Sequence, residues 1–569
     1  MEPRTVEWNV ADLLEEIADV RHDAPMIIED HRILSWDDVD QRSNRLARHL
    51  LDAGLVRGDR VAVCTRNVPA CLEAYIACCK VSLVPFNVNF RYGADEIAYL
   101  LDNADARAAV VQEEFVESFA DAAQRAGTIE TMIVVADTST TDPSRSTWTD
   151  YEHVVTAGSG ERVATTWGRS PDDLLFQYTG GTTGMPKAVM WRQGDLVTLL
   201  AGKDAPPDED RSGATADIAD RLAVEPRRSC TIAPLIHGTG LLSQLANFFT
   251  GGTSVMLGGR GFDPAQAWAC VERHRVNVLV IVGDPMARPL LEQLERDERL
   301  ERDGASYDLN SLKMITSSGA MFSRPVKAGL LGLLPNLVLL DAFGSSEASG
   351  LGVSMSTADD LDATAVFRIG PQAKLLTDDG AMVEPMSGVV GRIAMSGCVP
   401  VGYHKDPIKS AETYPTVDGV RYSVPGDYVT VDDEGNLTLL GRGSAVINTG
   451  GEKVHPEEIE EILKEHTSVV DAACIGVPDP RFGAAVCAVV QLSAEAAADA
   501  DEVATVAATV DALREHVRGR AAGFKVPRHI MIVDDLGRHP NGKLDRTAVT
   551  ERALAAINAS EAISAASRR

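Results

Sequence analysis

Apolar residues recur along this chain with two different periods. In the segment opened by Asp37-Asp38-Val39-Asp40 they return at helical spacing through Leu46 and Leu50, whereas Arg60-Val61-Ala62-Val63-Cys64 is a short apolar run suited to a buried strand. From about Val6 to Ser170 helical and strand-like segments alternate, which predicts a mostly parallel sheet covered by helices. The rhythm resumes at Val276-Asn277-Val278-Leu279-Val280-Ile281-Val282, a nearly continuous apolar run that ends at Gly283-Asp284-Pro285, read as a turn. A buried strand there delivers its end to a ligand site. From about Leu351 to Leu440 the apolar runs shorten, and Asp379-Gly380, Asp418-Gly419 and Glu434-Gly435 punctuate them, which predicts an antiparallel, barrel-like subdomain.

Asp204 to Gly213 is polar and charged and reads as an exposed loop. The last part of the chain reads as a small α/β domain with an alanine-rich tail, in which Ala496 to Val506 is a solvated loop or a helix start. The expected fold class is therefore α/β: a large N-terminal domain of helix-covered sheets with a β-barrel-like subdomain, then a small C-terminal α/β domain.

Composition narrows the function. With 569 residues the chain is too long for one core. A formal net charge of -29 argues against nucleic acid or an anionic membrane surface as a general partner. The nine cysteines are scattered, mostly in apolar runs and without paired C-x-x-C spacing, and read as buried thiols of a reducing compartment. Met1-Glu2-Pro3-Arg4 lacks the apolar core of a signal peptide, and no run of about twenty apolar residues follows. A soluble, cytoplasmic chain is expected.

The chemistry is concentrated in Phe176-Gln177-Tyr178-Thr179-Gly180-Gly181-Thr182-Thr183-Gly184-Met185-Pro186-Lys187, a strand running into a loop of backbone amides, hydroxyls and one cation. Three glycines let the main chain approach an anion, the hydroxyls of Thr179, Thr182 and Thr183 can donate, and Lys187 adds charge, so the loop suits phosphate. It is not a Walker A loop, because Met185-Pro186 precede the lysine and Ala188 follows it. The competing reading is an ordinary surface turn, since glycine and threonine are turn-compatible everywhere.

Tyr178 through Lys187 resembles the phosphate loop of the adenylate-forming superfamily, which comprises acyl-CoA synthetases, luciferases and peptide-synthetase adenylation domains. Further matches follow in order over nearly the whole chain. Ser317-Ser318-Gly319-Ala320 and Asp341-Ala342-Phe343-Gly344-Ser345-Ser346-Glu347 resemble the adenine-side strand ends and the aromatic-Gly-x-Thr-Glu motif, with Ser346 in place of threonine. Pro425-Gly426-Asp427 and Gly441-Arg442 resemble the ribose-binding aspartate and the arginine at the domain junction. Asn448 to Glu460, with Gly450, Gly451 and Lys453, resembles the loop of the mobile domain, and Pro540-Asn541-Gly542-Lys543 the terminal catalytic turn.

The resemblance implies a division into an N-terminal adenylate-forming domain, 1–442, and a mobile C-terminal domain, 443–569. It also implies ATP, Mg²⁺ and coenzyme A as the partners of a small carboxylic acid. A carboxylate attacks the α-phosphate of ATP, pyrophosphate leaves, and a thiol then displaces AMP from the acyl-adenylate. Bringing a carboxylate to a triphosphate requires cations that offset repulsion and an in-line arrangement. By the resemblance, Thr179 to Gly184 and Lys187 hold phosphate, Glu347 holds Mg²⁺ as a hard cation does through one or two carboxylates and phosphate oxygens, and Asp427 accepts from the ribose hydroxyls. Arg442 donates to ribose or α-phosphate, and Lys543 reaches the carboxylate and α-phosphate during adenylation. Gly450-Gly451 leave room for a pantetheine arm once the small domain has rotated about a hinge at Arg442-Gly443-Ser444, where relatives often carry Asp or Lys in place of Ser444.

For the acyl group, Pro234-Leu235-Ile236-His237-Gly238-Thr239-Gly240 resembles the family's aromatic or histidine gate, and Val282-Gly283-Asp284 and Ser318-Gly319-Ala320 supply walls. His237 suits a gate and a satisfied wall histidine equally. The combination of Met190-Trp191-Arg192, Gly283-Asp284-Pro285-Met286-Ala287-Arg288-Pro289 and Gly441-Arg442-Gly443-Ser444 is most similar to actinobacterial ligases of steroid side-chain and fatty acids. Two alternatives stand beside a CoA ligase: an enzyme that loads a carrier protein in trans, and a non-catalytic nucleotide-binding regulator. Retention of Lys187, Glu347, Asp427, Arg442 and Lys543 together speaks against the regulator. Whether the chain pairs as a homodimer is left open by the sequence.

Overall fold

The computed structural model describes residues 8–566 apart from 137–147, 180–184, 202–221, 223–225, 260, 301–306, 362–363, 378–379, 384–386, 443–446, 450–451, 455, 480–482, 499–502, 522 and 539–543. The predicted exposed loop at 204–213 lies outside the described residues.

The helix expected after Asp37 runs from Trp36 to Asp52, and its start is written in the sequence. Ser35 accepts a hydrogen bond from the Asp38 N–H, and the Asp38 carboxylate accepts one from the Ser35 N–H, a reciprocal capping box. Its apolar stripe (Val39, Leu46, Leu50) is fully buried beside Trp36. The run Arg60–Cys64 is a strand buried on both faces, in parallel register with Val84–Asn87 on one side and Ala106–Gln112 on the other. With Thr131–Val135, Thr149–Asp150, Leu174–Thr179, Lys187–Arg192 and Gly402–Tyr403 it makes an eight-stranded sheet. That sheet is parallel except where Leu174–Thr179 folds back on Lys187–Arg192, and where Gly402–Tyr403 pairs antiparallel with the latter.

The second sheet has fourteen strands. Pro25–Glu29, Thr253–Met256, Arg228–Thr231, Val278–Ile281, Met314–Ser318 and Val338–Phe343 are parallel neighbours, covered by helices whose cores contain Trp268 and Phe322. The apolar run at Val276–Val282 forms the expected strand, but Gly283-Asp284-Pro285 is the first turn of a helix, Gly283–Leu300. Proline is tolerated in a first turn because its missing N–H has no intrahelical acceptor there. From Val338–Phe343 onward the sheet continues antiparallel through Gly352–Ser356, Val366–Ile369, Asn436–Arg442 and Asp427–Val431. The predicted hairpin at Asp418-Gly419 has both residues at positive φ (50° and 80°), as a two-residue type I′ turn requires.

Residues 396–422 make an excursion between the two sheets. Met395 and Ser423 exchange backbone hydrogen bonds of 2.8 Å, so the segment leaves and re-enters the fourteen-stranded sheet at one point. In between, Gly402–Tyr403 joins the edge of the eight-stranded sheet opposite Met190 and Val189. A third, five-stranded sheet is built entirely from residues after 446: Ile447–Thr449, Glu452–Val454, Val469–Asp479, Gly483–Leu492 and His529–Val533, with the helices Pro456–Lys464 and Val503–Arg518 contributing to its core.

Buried charge in the large region is paired. Glu73, with a fully buried side chain, receives Arg42 Nε at 2.5 Å and the Tyr151 hydroxyl at 2.7 Å. Arg42 would keep Glu152 as a partner at 2.9 Å, but removing Glu73 takes the acceptor from the buried Arg42 Nε and from the buried Tyr151 hydroxyl. Glu73→Ala is therefore expected to destabilise the protein by about 3 kcal/mol, read as the change in free energy of unfolding in urea.

Candidate active site

The site lies where strand ends of the two large sheets meet, and the Asn87 side chain joins them. Its Nδ2 donates to the Tyr178 carbonyl at 3.0 Å and to the Ile236 carbonyl at 2.8 Å, and its Oδ1 accepts from the Tyr178 N–H at 2.7 Å. The strand that enters the phosphate loop and the turn that carries His237 are thereby fixed to each other. Thr179 lies opposite Lys187 at the mouth of the loop. Gly180, Gly181, Thr182, Thr183 and Gly184 lie outside the described residues.

Lys187 Nζ is 2.5 Å from Asp406 Oδ2 and 5.8 Å from the centre of the Tyr403 ring. The Lys187 ammonium, with the Lys409 N–H second, holds the Asp406 carboxyl below the usual carboxylate range. The Tyr403 hydroxyl donates to Glu347 Oε1 at 2.8 Å. Glu347 is also fixed through its backbone: its N–H donates to Ser345 Oγ and its carbonyl accepts from Ser423 Oγ at 2.6 Å. The neighbouring Ser346 carbonyl accepts from Trp191 Nε1 at 3.0 Å. Three predicted segments, around Lys187, Trp191 and Ser345-Ser346-Glu347, thus converge on one place.

The acyl-side segments converge there too. His237 precedes the helix Gly238–Phe249 as its N-cap residue. A Cβ at Gly238 would lie 3.8 Å from Ser346 Oγ, and one at Gly319 would lie 3.1 Å from Thr239 Oγ1 and 3.9 Å from Val282 Cγ1. Thr239 Oγ1 donates to the Ser318 carbonyl. Gly283 has φ of 46° and no room for a Cβ beside the Met321 and Ala320 carbonyls, so glycine is required at this strand-to-helix corner. The Asp284 carboxylate accepts from the Ser323 N–H at 2.9 Å and pairs with Arg288 at 3.2 Å, which ties the start of this helix to the N-cap of the helix Arg324–Leu333.

Asp341, Ala342, Phe343 and Gly344 come to the same strand end, but alternation separates their side chains. The Asp341 carboxylate is buried and lies 3.5 Å from Lys327 Nζ, which is itself 1% exposed, and Phe343 stacks on Phe367. The Asp341 side chain is therefore engaged by Lys327, and Ala342 lies on the opposite face of the strand. Ser318 ends the parallel neighbour, opposite Ala342, and Gly319 and Ala320 follow it. Asp427 is buried at the start of its strand, opposite the Arg442 backbone. The side chains of Arg442 and Lys453, and all of Gly450, Gly451 and Lys543, lie outside the described residues.

At the junction with the third sheet, Gly441 has φ of 99° and packs directly on Glu457 of the helix Pro456–Lys464. Burial first, then Glu460 and the nearby Asp427, raise the Glu457 carboxyl to about 7, while Arg546 at 2.9 Å opposes the shift.

Sequence reading missed Asn87, Tyr403, Asp406 and Lys327. Asp406-Pro407 did carry a signal, an N-cap aspartate followed by proline at the first helical position, and Asp406 does cap the helix Pro407–Thr413. Its ion pair with a lysine 219 residues away has no local signature.

Comparison with known proteins agrees with this geometry. The family model described as AMP-binding enzyme matches residues 14–403, and that of the AMP-binding enzyme C-terminal domain matches residues 458–543. The chain belongs to this family of adenylate-forming enzymes. It is 38% identical over 544 residues to a 3-oxocholest-4-en-26-oate–CoA ligase of Rhodococcus rhodochrous, covering 94% of each chain. It is 39% identical over 542 residues to a medium/long-chain-fatty-acid–CoA/3-oxocholest-4-en-26-oate–CoA ligase of Mycobacterium tuberculosis, covering 95% of each. In fold it is similar to an anthranilate CoA ligase solved with anthranoyl-AMP, at a TM-score of 0.80 and 19% identity over 97% of this chain and 98% of that one. No described helix is long and apolar enough to cross a membrane.

The Asp341 environment predicts a pH effect. Burial, opposed by Lys327, raises its carboxyl to about 6, above the unfolded value of 3.8. The folded state then holds the proton more tightly than the unfolded state, so this contribution to stability is lost as pH rises toward and through 6. Asp341→Asn has no such proton to lose. Relative to the parent, its stability should rise by about 1 kcal/mol between pH 5 and pH 7, whatever fixed cost the loss of the Lys327 pair adds; urea unfolding at the two pH values reads the difference.

Proposed function

We propose that the acid activated by this protein is bulky and largely apolar, a steroid side-chain acid or a medium- to long-chain fatty acid. The enzyme is an AMP-forming acyl-CoA ligase: it joins a carboxylic acid to ATP as an acyl-adenylate and passes the acyl group to CoA. The observation that carries the reading is the convergence of Lys187, Glu347 and the His237-Gly238 turn, linked through Tyr403, Trp191 and Ser346. One cation and one carboxylate are brought together on either side of the Tyr403 ring and hydroxyl, and Val282 lies beside Gly319 next to the Thr239 hydroxyl. The acid class is supported by the names of the relatives at 38–39% identity.

In this reading Lys187 and the Thr179–Gly184 loop bind the outer phosphates, and Asp427 accepts from the ribose hydroxyls. Glu347 suits Mg²⁺: Oε1 accepts from Tyr403, and among the described residues no hydrogen bond is made to Oε2. A bound Mg²⁺ would neutralise phosphate charge. Lys543, in the terminal turn, stabilises charge at the carboxylate and α-phosphate during adenylation. The Gly450-Gly451 loop with Lys453 admits the pantetheine arm after rotation of a mobile domain that begins near residue 443. Cytoplasmic location and action without a carrier protein belong to the same proposal.

Burial of a large apolar acid supplies binding energy in proportion to area, about 25 cal/mol per Å², and this helps catalysis where it positions the carboxylate for attack. With ATP and CoA, a steroid side-chain or long-chain acid should give a higher kcat/KM than acetate or benzoate, measured as CoA-dependent AMP release; a preference for acetate or benzoate overturns the acid class. Lys543→Ala should reduce adenylate formation about 10²- to 10³-fold yet spare thioester formation from preformed acyl-adenylate. Equal loss in both half-reactions would remove Lys543 from the first.

A further inference from the structure

We propose that the turn Tyr403–Asp406 is the positioning element of the phosphate site, Asp406 setting the place of Lys187 and Tyr403 that of Glu347. The inference rests on the reading of Lys187 as a phosphate ligand and Glu347 as a cation ligand. The Asp406 carboxylate is held at both oxygens: Oδ1 accepts from the Lys409 N–H at 2.9 Å as a helix cap, and Oδ2 contacts Lys187 at 2.5 Å. A carboxylate anchored by a cap is a fixed post, whereas an ammonium on a four-carbon stem is mobile unless tied. Lys187 has three donors, so one bond to Asp406 leaves two for a triphosphate.

The exposure of the pair decides what it is for. Lys187 and Asp406 side chains are 39% and 31% exposed, and ion pairs that wet contribute little to stability. Their effect is therefore geometric. Tyr403 acts on the other member of the site: its ring lies beneath Lys187 and its hydroxyl fixes one oxygen of Glu347, so one residue contacts both members. The turn itself is anchored, because Tyr403 N–H donates to Ser410 Oγ at 2.8 Å, the ring packs on Tyr414 at 5.7 Å, and the His404 N–H donates to the Ala188 carbonyl beside Lys187.

The test uses the full-length enzyme. Asp406→Asn and Asp406→Ser each keep a capping oxygen but remove the charge, and Tyr403→Phe keeps the ring but removes the donor. Both Asp406 variants should weaken Mg-ATP binding by calorimetry, and raise KM for ATP, about tenfold, with KM for the acid unchanged. In a Lys187→Ala background neither should have a further effect. Tyr403→Phe should weaken Mn²⁺ binding about fivefold in the presence of a non-hydrolysable ATP analogue, followed by electron paramagnetic resonance, with no further effect when combined with Glu347→Gln. If Lys187→Ala and Glu347→Gln are defective while the Asp406 and Tyr403 variants bind as the parent does, or if the effects simply add, the positioning role is overturned. If Lys187→Ala and Glu347→Gln themselves bind as the parent does, the reading beneath it falls instead.

Discussion

The carboxamide of Asn87 is the joint on which the arrangement depends. A side chain with two donors and an acceptor can satisfy backbone groups on two separate elements at once, and here it does so at the strand before the phosphate loop and at the turn before the His237 helix. Both partners are buried, where an unmade hydrogen bond costs more than a made one contributes. The strand that ends at Thr179 and the turn before the His237 helix are therefore held against each other at this one point.

Around that joint the chain solves an electrostatic problem. A protein with a formal net charge of -29 must bring a triphosphate beside a carboxylate. It gathers cations locally and keeps its own acids occupied: Glu73 with Arg42, Asp341 with Lys327, Asp284 with Arg288 and a backbone amide, Asp406 with Lys187. Glu347 stands apart in this company, since among the described residues its side-chain hydrogen-bond partner is a neutral hydroxyl.

Much of this was legible in the sequence, for identifiable reasons. The Trp36–Asp52 helix and the Arg60–Cys64 strand follow from local periodicity and from a cap that needs only Ser35 and Asp38. The site segments were legible because each carries its own pattern of glycines, hydroxyls and charges. Three things were not. Gly283-Asp284-Pro285 looks like a turn, and tertiary packing against the Met321 and Ala320 carbonyls makes it a helix start. Asp341 sits in a site motif, yet strand alternation turns its side chain to Lys327. The contacts of Tyr403 and Asp406 join residues far apart in sequence, and periodicity carries no information on such pairs.

The excursion at residues 396–422 has a thermodynamic meaning beyond its contacts. Closed at its base by the Met395–Ser423 bridge and stitched at its tip to the opposite sheet, it has little freedom left to lose when a ligand arrives. The entropy of ordering Lys187 and Glu347 is charged to folding of the whole domain instead of to each binding event. In the roles proposed for Lys187 and Glu347, a site so preorganised would meet the developing charge of the transition state with its ions already in place and need little reorganisation at the moment of reaction.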